Sequence, residues 1–274
     1  MTRVLVASPF GRTGNAVFFA AHEAEGIELA GGLVSERHRG MTVGQGRGIC
    51  VPPPLGTGGE EVCVPMALGL ETAPTAEVVI EFTSPEAAVR LAVACAEVGL
   101  ALVSGATGLS AEQEAAIARA AERVPVVRSG NYSLGVTVLA ALVERAAATL
   151  GEAFDVEVRE THHRDKKDSP SGTALLLGEA AARGLGTSLE SAAEFARHGR
   201  VDASRPRGEI GFAVSRGGGV YGDHDVSFLG AEETVTLGHR ALSREVFARG
   251  ALRAASWAAG RAPGLYTMRD VLGL

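Results

Sequence analysis

The chain has 274 residues, enough to form one large domain or two medium ones. With 46% hydrophobic and 21% charged residues, it has the composition of a globular protein rather than of a disordered one. Its net charge of −6 argues against broad binding to nucleic acids or anionic membranes, so any cationic site must be local.

The first half of the chain alternates short apolar runs with helical segments, the pattern of a parallel, doubly wound sheet. The predicted strands cover residues 3–7, 27–34, 76–82, 100–103 and 126–127. The predicted helices cover residues 15–25, 85–99 and 110–123. Ser110 is the expected N-cap of the third helix, and Gln113 is placed to complete a capping box. Residues 39–60 are rich in Gly and Pro and predict a long irregular excursion.

From residue 136 onward the pattern becomes that of an α+β domain. A helix over 136–150 precedes a strand over 154–161, in which Val156 and Val158 alternate with charged residues. Further strands are predicted over 208–215, 223–228 and 233–237, and a last helix over 243–260. The expected fold class is α/β. It combines an N-terminal Rossmann-like dinucleotide-binding domain (1–131 and 242–274) with an α+β substrate-binding and oligomerisation domain (132–241) that has a mixed or antiparallel sheet.

Three cysteines are present, with no spacing typical of a metal site. Cys95 ends an apolar helical run and is expected in the core. Cys50 and Cys63 flank the Gly- and Pro-rich segment and could approach each other, but free thiols in a reducing cytosol are the preferred interpretation. There is no signal-peptide pattern, and no apolar run is expected to reach membrane-spanning length. We therefore expect a soluble, cytoplasmic protein.

The loop between the first strand and the first helix reads S-P-F-G-R-T-G. Gly11 and Gly14 hold the second and third glycine positions of a dinucleotide-binding loop, whereas Ser8 holds the first. The strand before the loop and the helix after it favour a pyrophosphate site over a plain structural turn. The candidate cofactor residues here are Ser8, Pro9, Phe10, Gly11, Arg12, Thr13 and Gly14.

The end of the second strand bears on the choice between NADPH and NADH. Val34 and Ser35, both candidate cofactor residues, stand where an acidic residue would hold the ribose hydroxyls. The charged run 36–39 follows and contains two arginines. Because an apolar residue cannot bind the diol and nearby cations could hold a 2′-phosphate, NADPH is predicted over NADH. The alternative is that these charges face solvent.

Two further segments follow strands at the edge where ligands bind in such sheets. Both are short and rich in small residues, which would let a nicotinamide approach the backbone, although both could also be simple turns. The candidate cofactor residues in them are Gly105, Ala106, Thr107, Ser129, Gly130, Asn131 and Tyr132.

Residues 160–174 read E-T-H-H-R-D-K-K-D-S-P-S-G-T-A. Two histidines, two lysines and an arginine are followed at once by a predicted helix start over 169–173. Side-chain cations and helix N-terminal N–H groups together suit an anion, and an imidazole with an ammonium also suits proton transfer. The alternative is a solvated basic loop, partly neutralised by Asp165 and Asp168.

This stretch resembles the signature of the 4-hydroxy-tetrahydrodipicolinate (dihydrodipicolinate) reductase family, E-x-H-H-x-x-K-x-D-x-P-S-G-T-A. The matching residues are Glu160, His162, His163, Lys166, Asp168, Pro170, Ser171, Gly172, Thr173 and Ala174. The resemblance implies NAD(P)H-dependent reduction of a small cyclic dicarboxylate, with loss of water, by a homotetramer in lysine and diaminopimelate biosynthesis. By the same resemblance, His162 is the proton donor or acceptor and Lys166 the second proton donor. His163 then contacts the substrate, and Gly172 with Thr173 binds its carboxylate.

The chain departs from the family pattern at Ser8, at Glu81, which replaces an Asp, and at Ala106, which replaces a Thr. Ala106 and the altered glycine loop slightly favour a second interpretation, a paralogous reductase of another cyclic imine or unsaturated dicarboxylate. A third is a non-catalytic NAD(P)-binding sensor, which would be expected to lack His162 and Lys166.

The remaining histidines are given minor roles. Those in or beside predicted strands, His224 and His239, are expected to be structural. Those expected at the surface are His22, His38 and His198.

Overall fold

The computed structural model describes residues 1–35, 49–54, 58–199, 204–243 and 245–274. The strands are β1 (Thr2–Ala7), β2 (Ile27–Leu33), β3 (Ile49–Val51), β4 (Val62–Val64), β5 (Met66–Ala67), β6 (Val78–Glu81), β7 (Ala101–Ser104), β8 (Pro125–Arg128), β9 (Asp155–His162), β10 (Ala193–Glu194), β11 (Ile210–Arg216), β12 (Asp223–Leu229), β13 (Thr234–Arg240) and β14 (Gly264–Tyr266). The helices are α1 (Arg12–Glu23), α2 (Pro85–Val98), α3 (Ala111–Ala121), α4 (Leu134–Leu150), α5 (Gly172–Gly184), α6 (Leu189–Ala192), α7 (Glu245–Ala258) and α8 (Met268–Leu272).

The chain divides into two compact units. Unit 1 is 1–134 with 245–273, and unit 2 is 135–244 with Leu274.

Unit 1 is built on a seven-stranded parallel sheet with the strand order β14-β8-β7-β6-β1-β2-β5. Successive residues of β1 point to opposite faces. Val4 packs in a core with α1 and α7, while Leu5 packs in a second core with α2 and α3. Both faces of the sheet are therefore buried, which is why its strands read as continuous apolar runs. The predicted doubly wound α/β fold is confirmed.

Helix ends in unit 1 follow the local sequence. Ser110 and Gln113 form the expected capping box of α3. Pro85 opens α2, and Gly99, with φ of 78°, closes it in the left-handed region that favours glycine. α1 begins at Arg12 rather than at residue 15, because Gly11 is its N-cap.

The segment between β2 and β6 holds more regular structure than the composition predicts. β3 and β4 form an antiparallel hairpin, and β5 extends the edge of the large sheet beside β2. Cys50 and Cys63 lie directly opposite each other in this hairpin and form a disulfide, so the expectation of free thiols is wrong. Strand pairing brings the two side chains together, and spacing in the sequence does not reveal that pairing. Cys95 is buried as a free thiol, as predicted.

Unit 2 contains a five-stranded mixed sheet with the order β10-β11-β9-β12-β13. β11 runs parallel to β9, while β12 is antiparallel to both β9 and β13. The core lies where α4 and α5 cover the sheet, with Val143 and Leu177 packed in one cluster with Val156 and Val158. The alternation predicted for the strand at 154–161 is therefore real, and its apolar members face this core. The sequence predicts either a mixed or an antiparallel sheet here, and the sheet is mixed.

α4 and the turn that follows it span the 20 residues Leu134–Ala153. An 18-residue window within them has a mean hydropathy of 1.5, so the segment is long and apolar enough to cross a membrane by length and composition alone. The expectation that no apolar run reaches that length is therefore wrong. One side of the helix nevertheless packs in the core of unit 2 through Leu139, Val143 and Ala147.

Candidate active site

The last residues of β9 carry the centre of the candidate site in unit 2. Glu160 and His162 lie two residues apart and so share one face of the sheet; their side chains are only 1% and 9% exposed. Their Oε2 and Nδ1 atoms are 2.6 Å apart. Arg216, the partner of His162 in the ladder with β11, donates to both Glu160 oxygens at 2.8 and 2.9 Å. The backbone N–H of Ser171 donates to the same carboxylate at 3.0 Å.

Burial and charge act in opposite directions on these groups. Burial alone would raise the pKa of Glu160, but hydrogen bonds from Arg216, His162 and Ser171 outweigh it and lower that pKa. Burial lowers the pKa of His162 and exceeds the opposing effect of Glu160. Around pH 7 the carboxylate is therefore ionised and the imidazole is largely neutral.

The ring of His224, a residue that the sequence predicts to be structural, lies against that of His162, with the ring centres 5.1 Å apart. It is 3% exposed, and its Nε2 is 3.1 Å from Oγ of Ser171. Burial, reinforced by His162, lowers the pKa of His224 to about 4, so it is neutral at pH 7. The sequence does not reveal this contact, because it arises from the pairing of His224 with Glu160 across β12 and β9.

The loop after β9 carries the other predicted cations. His163 donates its backbone N–H to the Val220 carbonyl, and Lys166 donates its backbone N–H to the His163 carbonyl, which folds residues 163–166 into a turn. Nζ of Lys166 lies 2.8 Å from both carboxylate oxygens of Asp168. Burial would raise the pKa of Asp168, but the ammonium of Lys166 outweighs it and lowers that pKa. Lys166 is thus held as one half of an ion pair, with its side chain 20% exposed.

The start of α5 is where the sequence predicts an anion site. Ser171 is the N-cap, and its Oγ accepts the N–H of Ala174 at 3.1 Å. Gly172 is exposed. Apart from its two chain neighbours and the backbone of its own helix, no heavy atom of the described residues lies within 4 Å of the place where its Cβ would be. Thr173 follows, half-buried. A helix N-terminus with open space beside Gly172 and a cationic loop before it can receive a carboxylate.

The glycine loop of unit 1 is shaped by close backbone contacts. Ser8 has a φ of 55°, and its carbonyl accepts the N–H of Gly11 at 2.9 Å, which closes a turn. A Cβ on Gly14 would collide with the carbonyl oxygens of Ala7 and Ser8, so only glycine lets α1 start this near the end of β1. Since Gly11 has no side chain with which to cap α1, the first N–H groups of the helix remain available to a phosphate. The loop therefore fits a dinucleotide.

Asn15 was not among the predicted site residues. Its Nδ2 donates to the carbonyls of Pro9 and Pro52, at 3.2 and 3.0 Å. It thus joins the glycine loop to the hairpin formed by β3 and β4. An asparagine one residue past the glycine motif is the sequence signal that could have indicated it.

Glu81 lies fully buried at the end of β6. One of its oxygens accepts the N–H and the hydroxyl of Thr83, at 2.8 and 2.6 Å, and the other accepts the hydroxyl of Ser104 at the end of β7. The ring of Phe82 occupies the space that a Cβ on Gly105 would need. Glu81 therefore ties the ends of β6 and β7 together, next to the segment that begins at Gly105.

Residues 129–132, the second segment predicted to lie near the nicotinamide, make several hydrogen bonds within unit 1. Tyr132 is 1% exposed, and its hydroxyl lies 2.9 and 2.8 Å from the carbonyls of Ser104 and Val127. Ser129 Oγ lies 2.6 Å from the Asn131 carbonyl, which tightens the turn around the exposed Gly130. The hydroxyl of Tyr132 is therefore bound inside unit 1, whereas Gly130 is exposed and Ser129 and Asn131 are half-buried.

The remaining predicted cofactor residues vary in exposure. Val34 is 6% exposed and packs in the core, whereas Ser35 is exposed. Ala106 is 2% exposed and Thr107 is exposed. The charged run at 36–39, including His38, lies outside the described residues, whereas His22 and His198 are at the surface as predicted.

Comparison with known proteins gives a consistent result along the whole chain. A family model for the N-terminus of dihydrodipicolinate reductase matches residues 2–132, and one for its C-terminus matches residues 135–272. The 4-hydroxy-tetrahydrodipicolinate reductase of Anaeromyxobacter dehalogenans is 47% identical, with 100% of this chain and 98% of that protein covered. The enzyme of the same name from Afipia carboxidovorans is also 47% identical, with 99% and 97% covered.

Solved structures show the same fold. A dipicolinate-bound dihydrodipicolinate reductase from Paenisporosarcina sp. TG-14 superposes with a TM-score of 0.76 at 22% identity and covers 98% of each chain. An amine dehydrogenase from Mycobacterium smegmatis gives a TM-score of 0.63 at 14% identity, with 97% of this chain and 95% of that one covered.

Proposed function

The chain belongs to the dihydrodipicolinate reductase family, and we propose that unit 1 is its cofactor domain and unit 2 its substrate domain. It is an NAD(P)H-dependent oxidoreductase that reduces 4-hydroxy-tetrahydrodipicolinate to tetrahydrodipicolinate with loss of water, a step of lysine and diaminopimelate biosynthesis. The observation that carries the assignment to unit 2 is the junction of His162, Lys166 and the start of α5 in one continuous segment.

The glycine loop of unit 1 would hold the pyrophosphate of the cofactor. The supporting feature is the close approach at Gly14, beside the uncapped start of α1. Residues 105–107 and 129–131 would border the nicotinamide, because both follow parallel strands at their carboxyl ends. When bound, the nicotinamide supplies the hydride.

The segment 162–173 would bind the dicarboxylate and move its protons. Gly172 and Thr173 would receive one carboxylate through backbone N–H groups, and His163 would contact the substrate at the turn. Lys166, an ammonium paired with Asp168, would supply a proton as water leaves or as the reduced carbon is protonated. His162, largely neutral at pH 7, would exchange a proton through its imidazole.

NADPH is the cofactor that we propose. The support is that Val34 is buried and Ser35 carries no charge, so neither can act as an acid toward a ribose diol. The ratio of kcat/KM with NADPH to that with NADH measures the preference. A clear preference for NADH would overturn this proposal.

We also propose a homotetramer. Within unit 2, β13 is an edge strand whose residues alternate between exposed and half-exposed, and an uncovered sheet edge favours association with another subunit. Light scattering on the purified protein would give the mass of a tetramer, and the mass of a monomer would contradict this.

The proposed reaction is tested with freshly generated 4-hydroxy-tetrahydrodipicolinate and each reduced cofactor. Substrate-dependent oxidation of at least one of them is expected. If neither is oxidised while the protein still binds cofactor, the chain is a paralogue acting on another cyclic imine or unsaturated dicarboxylate. If the cofactor is neither oxidised nor bound, the proposed role of the glycine loop is wrong as well.

A further inference from the structure

Glu160 receives more hydrogen bonds than its neighbours in the candidate site. Oε1 accepts from Ser171 N at 3.0 Å and from Arg216 Nη2 at 2.9 Å. Oε2 accepts from Arg216 Nη1 at 2.8 Å and pairs with His162 Nδ1 at 2.6 Å. The side chain is 1% exposed, so these protein groups, rather than solvent, satisfy the carboxylate.

We propose that Glu160, held by Arg216, is the positioning residue that fixes the tautomer of His162 and docks the start of α5 onto it. This inference rests on the proposed reductase function for its kinetic consequences, but not for its structural ones.

The tautomer follows from the chemistry of the partners. An ionised carboxylate can only accept hydrogen bonds, so the short contact with Glu160 requires the proton of the neutral imidazole to be on Nδ1. Nε2 is then the atom with a free lone pair. It faces Gly222, where a Cβ would come within 2.9 Å of it, so the missing side chain of Gly222 leaves Nε2 unobstructed. Nε2 is therefore the atom of His162 that exchanges the proton.

Arg216 makes this arrangement stable. A buried carboxylate is costly unless it is paired and its lone pairs are satisfied, and the guanidinium meets both oxygens at once. The same guanidinium donates to the backbone carbonyl of Asp168 at 2.7 Å, which fixes the loop that bears Lys166. One ion pair thus connects β9, β11, this loop and the start of α5.

The charged and titratable groups that act on His162 come from each of these elements. They are Glu160 on β9, Arg216 on β11, Lys166 on the loop and His224 on β12. Glu160 alone among them favours the protonated imidazole. Removing its charge would therefore shift the pH dependence of His162 to lower pH.

Glu160→Gln is the first test because it keeps the shape of the side chain and adds a donor. The amide NH2 must face one of the present donors. The Ser171 N–H and the Arg216 guanidinium can only donate, whereas the imidazole of His162 can become an acceptor by moving its proton to Nε2. The variant is therefore expected to invert the tautomer of His162.

The tautomer is read by ¹⁵N NMR of protein labelled with ¹⁵N-histidine, with His162 assigned by comparison with His162→Gln. The native protein should show Nδ1 protonated above the titration of His162, and Glu160→Gln should show Nε2 protonated. A native ring protonated on Nε2, or an unchanged ring in the variant, would overturn the proposal. This readout needs no substrate, so failure of the reductase assignment would leave it intact.

Kinetics supply the second measurement. Glu160→Gln should lower kcat by about 10²- to 10⁴-fold, the range lost when a proton-transfer group is left in the wrong tautomer. Its acid limb should also move to lower pH. Arg216→Lys keeps the charge but loses the planar fork, and we expect an intermediate loss with the native tautomer retained.

Glu157→Gln is the matched control, because it makes the same chemical change on the opposite face of β9. It should leave the tautomer and the pH profile unchanged. If Glu160→Gln matches this control in kcat and pH profile, Glu160 has no positioning role.

Discussion

At the scale of single residues, Ser8 occupies a backbone conformation that does not suit it. Its φ of 55° lies in the left-handed region, where a Cβ costs about 1–2 kcal/mol and glycine pays no such penalty. The turn survives because the carbonyl of Ser8 accepts the N–H of Gly11 and packs against Gly14. The loop thus keeps the geometry of a glycine motif without its first glycine.

Ser8→Gly should therefore stabilise the protein by about 1 kcal/mol, which corresponds to roughly 2–4 °C in Tm for a protein of this size. Thermal unfolding of the two proteins measures it. Ala115→Gly, at an exposed position in the middle of α3, should instead destabilise by about 0.5–1 kcal/mol. A lower Tm for Ser8→Gly than for the native protein would mean that the serine side chain itself stabilises the loop.

The residues of the candidate site could be predicted from the sequence only where they are contiguous. His162, Lys166 and Gly172 lie within one contiguous stretch, residues 160–174, whose pattern indicates a site. Arg216 and His224 reach the same place through the registers of β11 and β12 with β9, which no local pattern encodes. For the same reason the contacts of Glu160 could not be predicted, although Glu160 is part of the signature.

At the scale of elements, the packing of α7 in unit 1 depends on one glycine. A Cβ on Gly250 would overlap the backbone carbonyl of Tyr132. Neither backbone can move independently, because Tyr132 is anchored through its hydroxyl to the ends of β7 and β8. The small side chains of α7, mostly alanine, let it approach the sheet this closely.

Gly250→Ala should lower the free energy of unfolding by roughly 2 kcal/mol or more, despite the better helix propensity of alanine. Denaturant unfolding measures this loss. Ser256→Ala, on the exposed side of the same helix, is the control, because it changes the helix propensity without adding a buried contact. Equal stability of the two variants would show that α7 can shift to accommodate a methyl group.

Periodicity or a continuous apolar run decided which elements the sequence revealed. The long helices and the strands of unit 1 were predicted to within a few residues, since their periodicity or continuous apolarity is strong. The short elements β4, β5, β10, β14, α6 and α8 were missed because two to five residues carry no periodic signal. β3 was hidden by the glycines and prolines around it.

At the scale of the whole molecule, buried histidines make stability depend on pH. The pKa of His224 in the folded protein is about 4, below its ordinary value of 6.5. Between these two pH values the unfolded chain binds a proton that the folded chain does not, so stability falls as the pH falls. The groups that face His224 are His162, Glu160, His239 and Lys166, and the pKa values of His162 and His239 are lowered as well.

The free energy of unfolding should therefore fall between pH 6.5 and pH 4, with His224 contributing at most about 3 kcal/mol of the loss. In His224→Gln this dependence should become shallower. His22→Gln, at an exposed position, should retain the native dependence. If the free energy of unfolding of His224→Gln depends on pH as steeply as that of the native protein, His224 is not a source of the pH dependence.

The central claim is that the segment 162–173, from the last residue of β9 to the start of α5, performs the proton chemistry of the reductase. The most direct measurement is kcat with 4-hydroxy-tetrahydrodipicolinate for His162→Gln and Lys166→Met. Lys167→Met is the control, because Lys167 is the neighbouring cation and its side chain is exposed. Losses of about 10²- to 10⁴-fold are expected in the first two variants, with near-native kcat in the third and native circular dichroism in all. Near-native kcat in both His162→Gln and Lys166→Met would contradict the account.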